Sequence, residues 1–228
     1  MSAPVPLRPP LPAGHDVRRV AVVSAGLSDP SSTKLLADLV AGAVQRLGGE
    51  RDLDVEVTHV ELRALAHGLT DALLTGFASG EVAAAQAAVA SADAVVAVTP
   101  VFSASFSGLF KTFFDVLEPG TLDGVPVLVA ATAGTARHSL VLDHALRPLF
   151  AYLHAVVLPT GVFAASEDWA AGEDTLPGDG PQALRSRVER AAGELVDQLA
   201  GVRRGPERLD QFDRDVAAMG SFEDLLDR

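Results

Sequence analysis

The chain contains no cysteine. That excludes a disulfide-stapled scaffold, cysteine-ligated zinc, an iron–sulfur cluster and a thiol nucleophile, and it fits a reducing cytoplasm. Positive charge is scarce: 18 Lys+Arg stand against 30 Asp+Glu, a net charge of −12. Nucleic-acid binding rests on Lys and Arg neutralising phosphates, and anionic membrane surfaces attract polybasic segments. Neither partner is expected. Only Lys34 and Lys111 are lysines, and aromatics other than Phe are limited to one Trp and one Tyr. No apolar run approaches the ~18 residues that cross a bilayer. Residues 1–16 lack the apolar core of a signal peptide. They carry Pro4, Pro6, Pro9, Pro10 and Pro12 and read as an extended, disordered leader. A soluble cytoplasmic protein is the expectation.

What remains is ample material for a core. The hydrophobic share is 48% over 228 residues, a length that suits one α/β domain, since single cores grow to roughly 250 residues before chains split. Five strand-like segments alternate with helical patterns. Residues 20–23, 94–99 and 125–132 are continuous apolar runs, as strands buried on both faces are. Residues 54–62 alternate as a half-exposed strand, and 155–163 form a fifth. Helical spacing is read at 33–47, stopped by Gly48-Gly49, and at 82–92, 107–117, 138–151 and 182–199. An acidic, glycine-rich loop spans 167–181. Alternation of this kind predicts a three-layer α/β fold with a five-stranded parallel sheet. The flavodoxin-like order 2-1-3-4-5, with helices on both faces, is the most economical arrangement. The domain is expected over 17–201, followed by an acidic tail at 202–228. From residue 206 the tail holds apolar residues at roughly helical spacing. It reads either as a loosely docked or disordered segment, or as one that docks on a partner.

Ligands of open parallel sheets bind outside the carboxyl ends of the strands. Three loops are therefore informative. The first, Ser24-Ala-Gly-Leu-Ser-Asp-Pro-Ser-Ser-Thr33, places five hydroxyls before a helix N-terminus. One hydroxyl suffices to cap a helix; five suit an anion, bound by hydroxyls and free N–H groups. Neither a P-loop nor a GxGxxG fingerprint is present, so a terminal phosphate monoester fits better than a pyrophosphate. Ser24, Ser31, Ser32 and Thr33 are the candidates. The second loop carries Pro100, Val101, Phe102 and Ser103. Phe102 and Phe106 either plug the loop onto the core or form an apolar wall for a planar ligand. Phe110, Phe113 and Phe114, at helical spacing, read as core. The third loop offers Ala133, Gly134 and Thr135.

The residues Pro100-Val-Phe102-Ser-Ala-Ser105-Phe106-Ser-Gly108-Leu-Phe-Lys111-Thr-Phe-Phe-Asp115 resemble the Pro-x-Tyr-x-x-Ser-Tyr-x-Gly-x-x-Lys-x-x-x-Asp signature of NAD(P)H-dependent FMN reductases. The serine loop and the loop from Thr132 to Ser139 match the other two flavin-contact regions of that family. The stretch 132–169 is most similar to reductases that serve luciferase-like two-component monooxygenases. The resemblance implies FMN and NADPH or NADH as cofactors. It implies phosphate on the serine loop, and the flavin ring against Pro100–Ser103 and Ala133–Thr135. It also implies hydride transfer to FMN, a luciferase-like monooxygenase that receives the reduced flavin, and a homodimer or homotetramer. Quinones, azo compounds or metal oxyanions are alternative acceptors, and a flavodoxin-type electron carrier is the rival reading. Two departures stand out. Phe102 and Phe106 replace frequent tyrosines, and the serine loop has Asp29 where many members have Arg. Both imply looser flavin binding.

No side chain is assigned as catalytic acid or base, because the flavin carries the chemistry. No metal site is expected: His138 and His144 are six residues apart and HExxH is absent. Lys111 and Asp115 read either as a subunit contact, which the resemblance implies, or as an i,i+4 pair. In this Lys-first order such a pair is worth up to roughly 0.5 kcal/mol.

Overall fold

The structure is a computed structural model that describes residues 17–169 and 180–201. The leader, most of the expected acidic loop and the C-terminal tail lie outside the described residues. The central strands are β1 (Arg18–Ser24), β3 (Ala94–Phe102) and β5 (Pro126–Ala133). They form because uninterrupted Val/Ala runs can bury both faces. β2 (Val55–Glu61) flanks β1, and β6 (Val156–Val157) and β7 (Val162–Ala165) share the far edge beside β5. All these pairings are parallel, with Val20 opposite Val57 and Ala94, and Val95 opposite Val127. The order β2-β1-β3-β5-β6 is the 2-1-3-4-5 arrangement expected from the sequence.

The sheet has seven strand segments rather than five, for two local reasons. The fifth strand, expected to run through 155–163, breaks at Pro159. Pro159 has no N–H to donate to a ladder. Arg147 takes the Leu158 carbonyl at 2.7 Å and also bonds that of Pro159. The Thr160 N–H donates to Glu194 at 3.1 Å. The second addition is β4 (Ser105–Phe106), which folds back antiparallel on the end of β3. Ser103 and Ala104 turn this hairpin with φ of 49° and 62°, the left-handed values that a two-residue type I′ turn needs at both positions. Pro100, Val101 and Phe102 thus belong to a strand end and not to a loop.

Successive residues of β1 feed opposite cores. Val20 and Val22 pack under α1 (Ser32–Gly49) and α6 (Gly180–Gly201). Ala21 and Val23 face the other layer, built from α2 (Leu62–Thr75), α3 (Gly80–Ala90), α4 (Gly108–Asp115) and α5 (Arg147–Tyr152). α2 lies between the expected second strand and the helical pattern at 82–92. It forms because Leu62, Leu65, Leu69 and Ala72 bury one stripe, and Gly76 closes it at φ 71°. The single helix expected at 138–151 is instead a 3₁₀ turn (Ala136–His138), a π turn (Leu142–Leu146) and α5. Pro148 explains the interruption. It cannot bond the carbonyl four residues back, and its ring would clash there in a regular α-helix. The four-ring cluster of Phe110, Phe113, Phe114 and Phe150 fills this second core. Centroids are 4.8 Å apart for Phe110–Phe114 and 4.9 Å for Phe114–Phe150. Among the described residues no single helix is long and apolar enough to cross a membrane.

Candidate functional site

The carboxyl ends of β1, β3 and β5 converge on one rim. Ser24 lies opposite Val98, and the Ala25 N–H donates to the Val98 carbonyl at 3.0 Å. Pro100 lies opposite Thr132. The chain leaves β1 toward β2 on one side and returns to β3 on the other, so the strand order reverses here and opens a crevice.

The serine loop folds tightly onto the start of α1. Ser31 caps the helix, its hydroxyl accepting from the Lys34 N–H at 3.2 Å. A Cβ at position 26 would overlap the Ser31 hydroxyl and crowd the Ser31 and Thr33 side chains, so glycine keeps the Ser31 cap in place. No described residue accepts from the N–H groups of Ser32 and Thr33. They are the first free donors of an 18-residue helix, whose dipole favours an anion there. Thr33 is buried, and its hydroxyl meets that of Thr132 at 2.8 Å. A hydroxyl pair spends one proton on its own bond and keeps the second for another acceptor. Ser24 is buried at the end of β1. Lys34 turns away from the loop, 3.1 Å from both Asp38 and Glu61. Its hydrogen bonds to Glu61 first, and to Asp38, raise its pKa above the ordinary lysine value. These two carboxylates hold its ammonium away from the loop.

The β3–β4 hairpin separates the two phenylalanines that the sequence treated alike. Val101 pairs directly with Phe106, and both pack on the core, the Phe106 ring lying 6.0 Å from that of Phe110. Phe102, one residue on, falls on the opposite face and is 47% exposed. Phe106 is thus the plug, and Phe102 is available as a wall. Pro100 and Val101 are half-buried, whereas Ser103 is exposed. Below them, the Ser107 N–H donates to the Thr99 hydroxyl at 3.0 Å, while the Ser107 hydroxyl caps α4.

The third loop leaves β5 at half-buried Ala133 and exposes Gly134 and Thr135. Its continuation is pinned from the neighbouring strand. The Ala136 N–H donates to the Glu167 carboxylate at 3.2 Å. Glu167 sits in the 3₁₀ turn Ser166–Trp169, and buried Asp168 anchors that turn by accepting from the Ala165 N–H at 2.8 Å and pairing with Arg187. Thr132, Glu167, Asp168 and Arg187 were not among the candidates read from the sequence. Thr132 opens the third loop in the sequence, but nothing there points to its pairing with Thr33. The other three act through contacts that no local pattern announces.

Lys111 pairs with Asp115 inside α4, at i,i+4 spacing on an exposed part of the helix. His138 and His144 are exposed, and among the described residues no group of His, Asp or Glu could hold a metal ion. Tyr152 ends α5, and Trp169 packs against the α1–α6 core, so neither walls the crevice.

The family model for NADPH-dependent FMN reductase matches residues 18–170. An FMN reductase (NADPH) of Pseudomonas aeruginosa is 39% identical over 151 residues, which cover 66% of this chain and 78% of that protein. The NADH-dependent FMN reductase SfnF of Pseudomonas fluorescens is 36% identical over 188 residues, covering 82% of this chain and 95% of that one. Among solved structures, an oxidoreductase from Corynebacterium diphtheriae superposes with a TM-score of 0.76 at 44% identity, over 82% of this chain and 99% of that one.

Proposed function

The chain belongs to the NADPH-dependent FMN reductase family, and from that premise we propose that it treats FMN as a diffusible substrate and delivers the reduced flavin to a luciferase-like monooxygenase. It is an NAD(P)H-dependent FMN reductase with a flavodoxin-like fold, and its substrates are FMN and NADPH or NADH. When bound, FMN supplies the ring that accepts hydride from the nicotinamide.

The residues of the crevice fit that flavin. The N–H groups of Ser32 and Thr33 receive the phosphate monoester, together with the hydroxyls of Ser24, Ser31 and Ser32 and the spare proton of the Thr33–Thr132 pair. Gly26 lets the loop close around it. Pro100, Val101, Phe102 and Ser103 line one side of the ring, and Ala133, Gly134 and Thr135 line the other. Phe102 contributes an apolar surface without a phenol. Every residue in this set binds or orients, and none is assigned a proton to transfer.

The observation that carries the proposal is the openness of the ring site. Phe102, Ser103, Gly134 and Thr135 are exposed, and the only Trp and Tyr of the chain lie elsewhere. A flavin held chiefly by its phosphate can leave after reduction. A homodimer or homotetramer is part of the proposal, with exposed Phe102 at the crevice available to a neighbouring subunit. A cytoplasmic location follows from the supply of NAD(P)H. The test couples the enzyme to a luciferase-type monooxygenase that requires reduced FMN. Oxygenation that rises with free FMN supports delivery. Flavin that stays with the protein through gel filtration, with electrons passing only to quinone, azo or metal-oxyanion acceptors, refutes it.

A further inference from the structure

The phosphate loop accounts for one anion, yet the reaction brings two phosphorylated molecules to an acidic protein. The second needs its own positive charge. Most cations near the crevice are already engaged: Lys34 with Asp38 and Glu61, Lys111 with Asp115, Arg147 with Asp143, and Arg187 with Asp168. Arg137 differs. It is exposed, lies two residues beyond Thr135, and makes no ion pair or hydrogen bond with any described residue. The other described cations without such a partner, Arg63, Arg185 and Arg190, sit on α2 and α6, off the three loops.

The turn carrying Arg137 is held in place. The Ser139 N–H bonds the Ala136 carbonyl at 3.1 Å, and the Ala136 N–H bonds Glu167 at 3.2 Å. Glu167 accepts the Ala136 N–H and forms no ion pair with Arg137. Behind it, the Asp168–Arg187 pair and the Ala165 N–H bond fix the supporting turn to β7, whose Ala165 lies opposite Ala133 of β5. A guanidinium on a fixed turn offers a planar, always-charged donor pair to a phosphate.

We propose that Arg137 binds a phosphate of the nicotinamide dinucleotide and so sets the affinity for that substrate. The inference rests on the placement of FMN in the crevice. It goes beyond family membership, because relatives of similar identity include both an NADPH and an NADH enzyme. The test is steady-state kinetics of the full chain carrying Arg137→Ala or Arg137→Lys, with each nicotinamide varied at saturating FMN and FMN varied at saturating nicotinamide. A charged hydrogen bond lost from binding raises KM about tenfold or more. Arg137→Ala should show that rise for the nicotinamide substrate, and Arg137→Lys should recover part of it. A rise confined to NADPH assigns the 2′-phosphate, and an equal rise with NADH assigns the pyrophosphate. Either outcome supports the proposal. Unchanged KM for both nicotinamides, or a rise in the KM of FMN alone, overturns it. If the wild-type enzyme also fails to prefer FMN over riboflavin, the flavin placement fails as well. If that preference stands, only the role of Arg137 is lost.

Discussion

The bond between the Thr33 and Thr132 hydroxyls gives the phosphate site its sharpest test. These residues are 99 positions apart, both are buried, and their oxygens are 2.8 Å apart. Thr33→Val keeps the shape and removes one hydroxyl, leaving that of Thr132 without its partner. An orphaned buried hydroxyl costs about 1–3 kcal/mol. In a domain of this size each kcal/mol lowers Tm by roughly 2–4 °C. The single variant should therefore melt about 2–12 °C lower. Replacing both hydroxyls removes the orphan, and such paired replacements are nearly neutral. Thr33→Val/Thr132→Val should thus melt closer to wild type than Thr33→Val does, a coupling that a double-mutant cycle reads directly. Flavin binding should behave differently. The double variant leaves no hydroxyl proton for the phosphate, so its FMN affinity should fall about tenfold or more, while riboflavin affinity changes less than roughly twofold. Thermal unfolding and flavin fluorescence titration measure the two effects. Equal losses for FMN and riboflavin, or stability losses that simply add, would refute the assignment.

Phe102→Ala should raise the apparent KM for FMN while changing stability by less than about 1 kcal/mol, because the ring is half-exposed; a large stability loss with unchanged flavin affinity would mark it as a packing residue. Asp168→Ala should cost about 1–3 kcal/mol in urea unfolding, since it leaves the Ala165 N–H without its acceptor and removes one partner of Arg187. Light scattering at micromolar concentration should give a dimer or tetramer, and a monomer would remove the proposed role of a second subunit at the crevice.

Much of the architecture was legible because it depends on local pattern. Buried Val/Ala runs mark β1, β3 and β5, and the rule that ligands sit at their carboxyl ends points to three loops before any coordinate is known. The failures share a cause. The fifth strand splits because Arg147 and Glu194 capture backbone groups from other elements. Thr132 joins the site through a partner 99 residues away. Phe102 and Phe106 look equivalent in sequence, and only the tight Ser103-Ala104 turn puts Phe106 on the core face with Val101. Lys34 was the one cation near the serine loop in sequence, yet Asp38 and Glu61 hold it elsewhere. Side-chain capture across the fold leaves no periodic trace.

The central claim is that this protein turns over free FMN through its phosphate. The most direct measurement is anaerobic reduction of a large molar excess of FMN, and separately of riboflavin, by NADPH and by NADH, followed by flavin absorbance. The account predicts that the whole FMN pool is reduced over many turnovers, with a KM for FMN about tenfold or more below that for riboflavin. Reduction of a single equivalent that remains bound to the protein, or equal KM values for the two flavins, would contradict it.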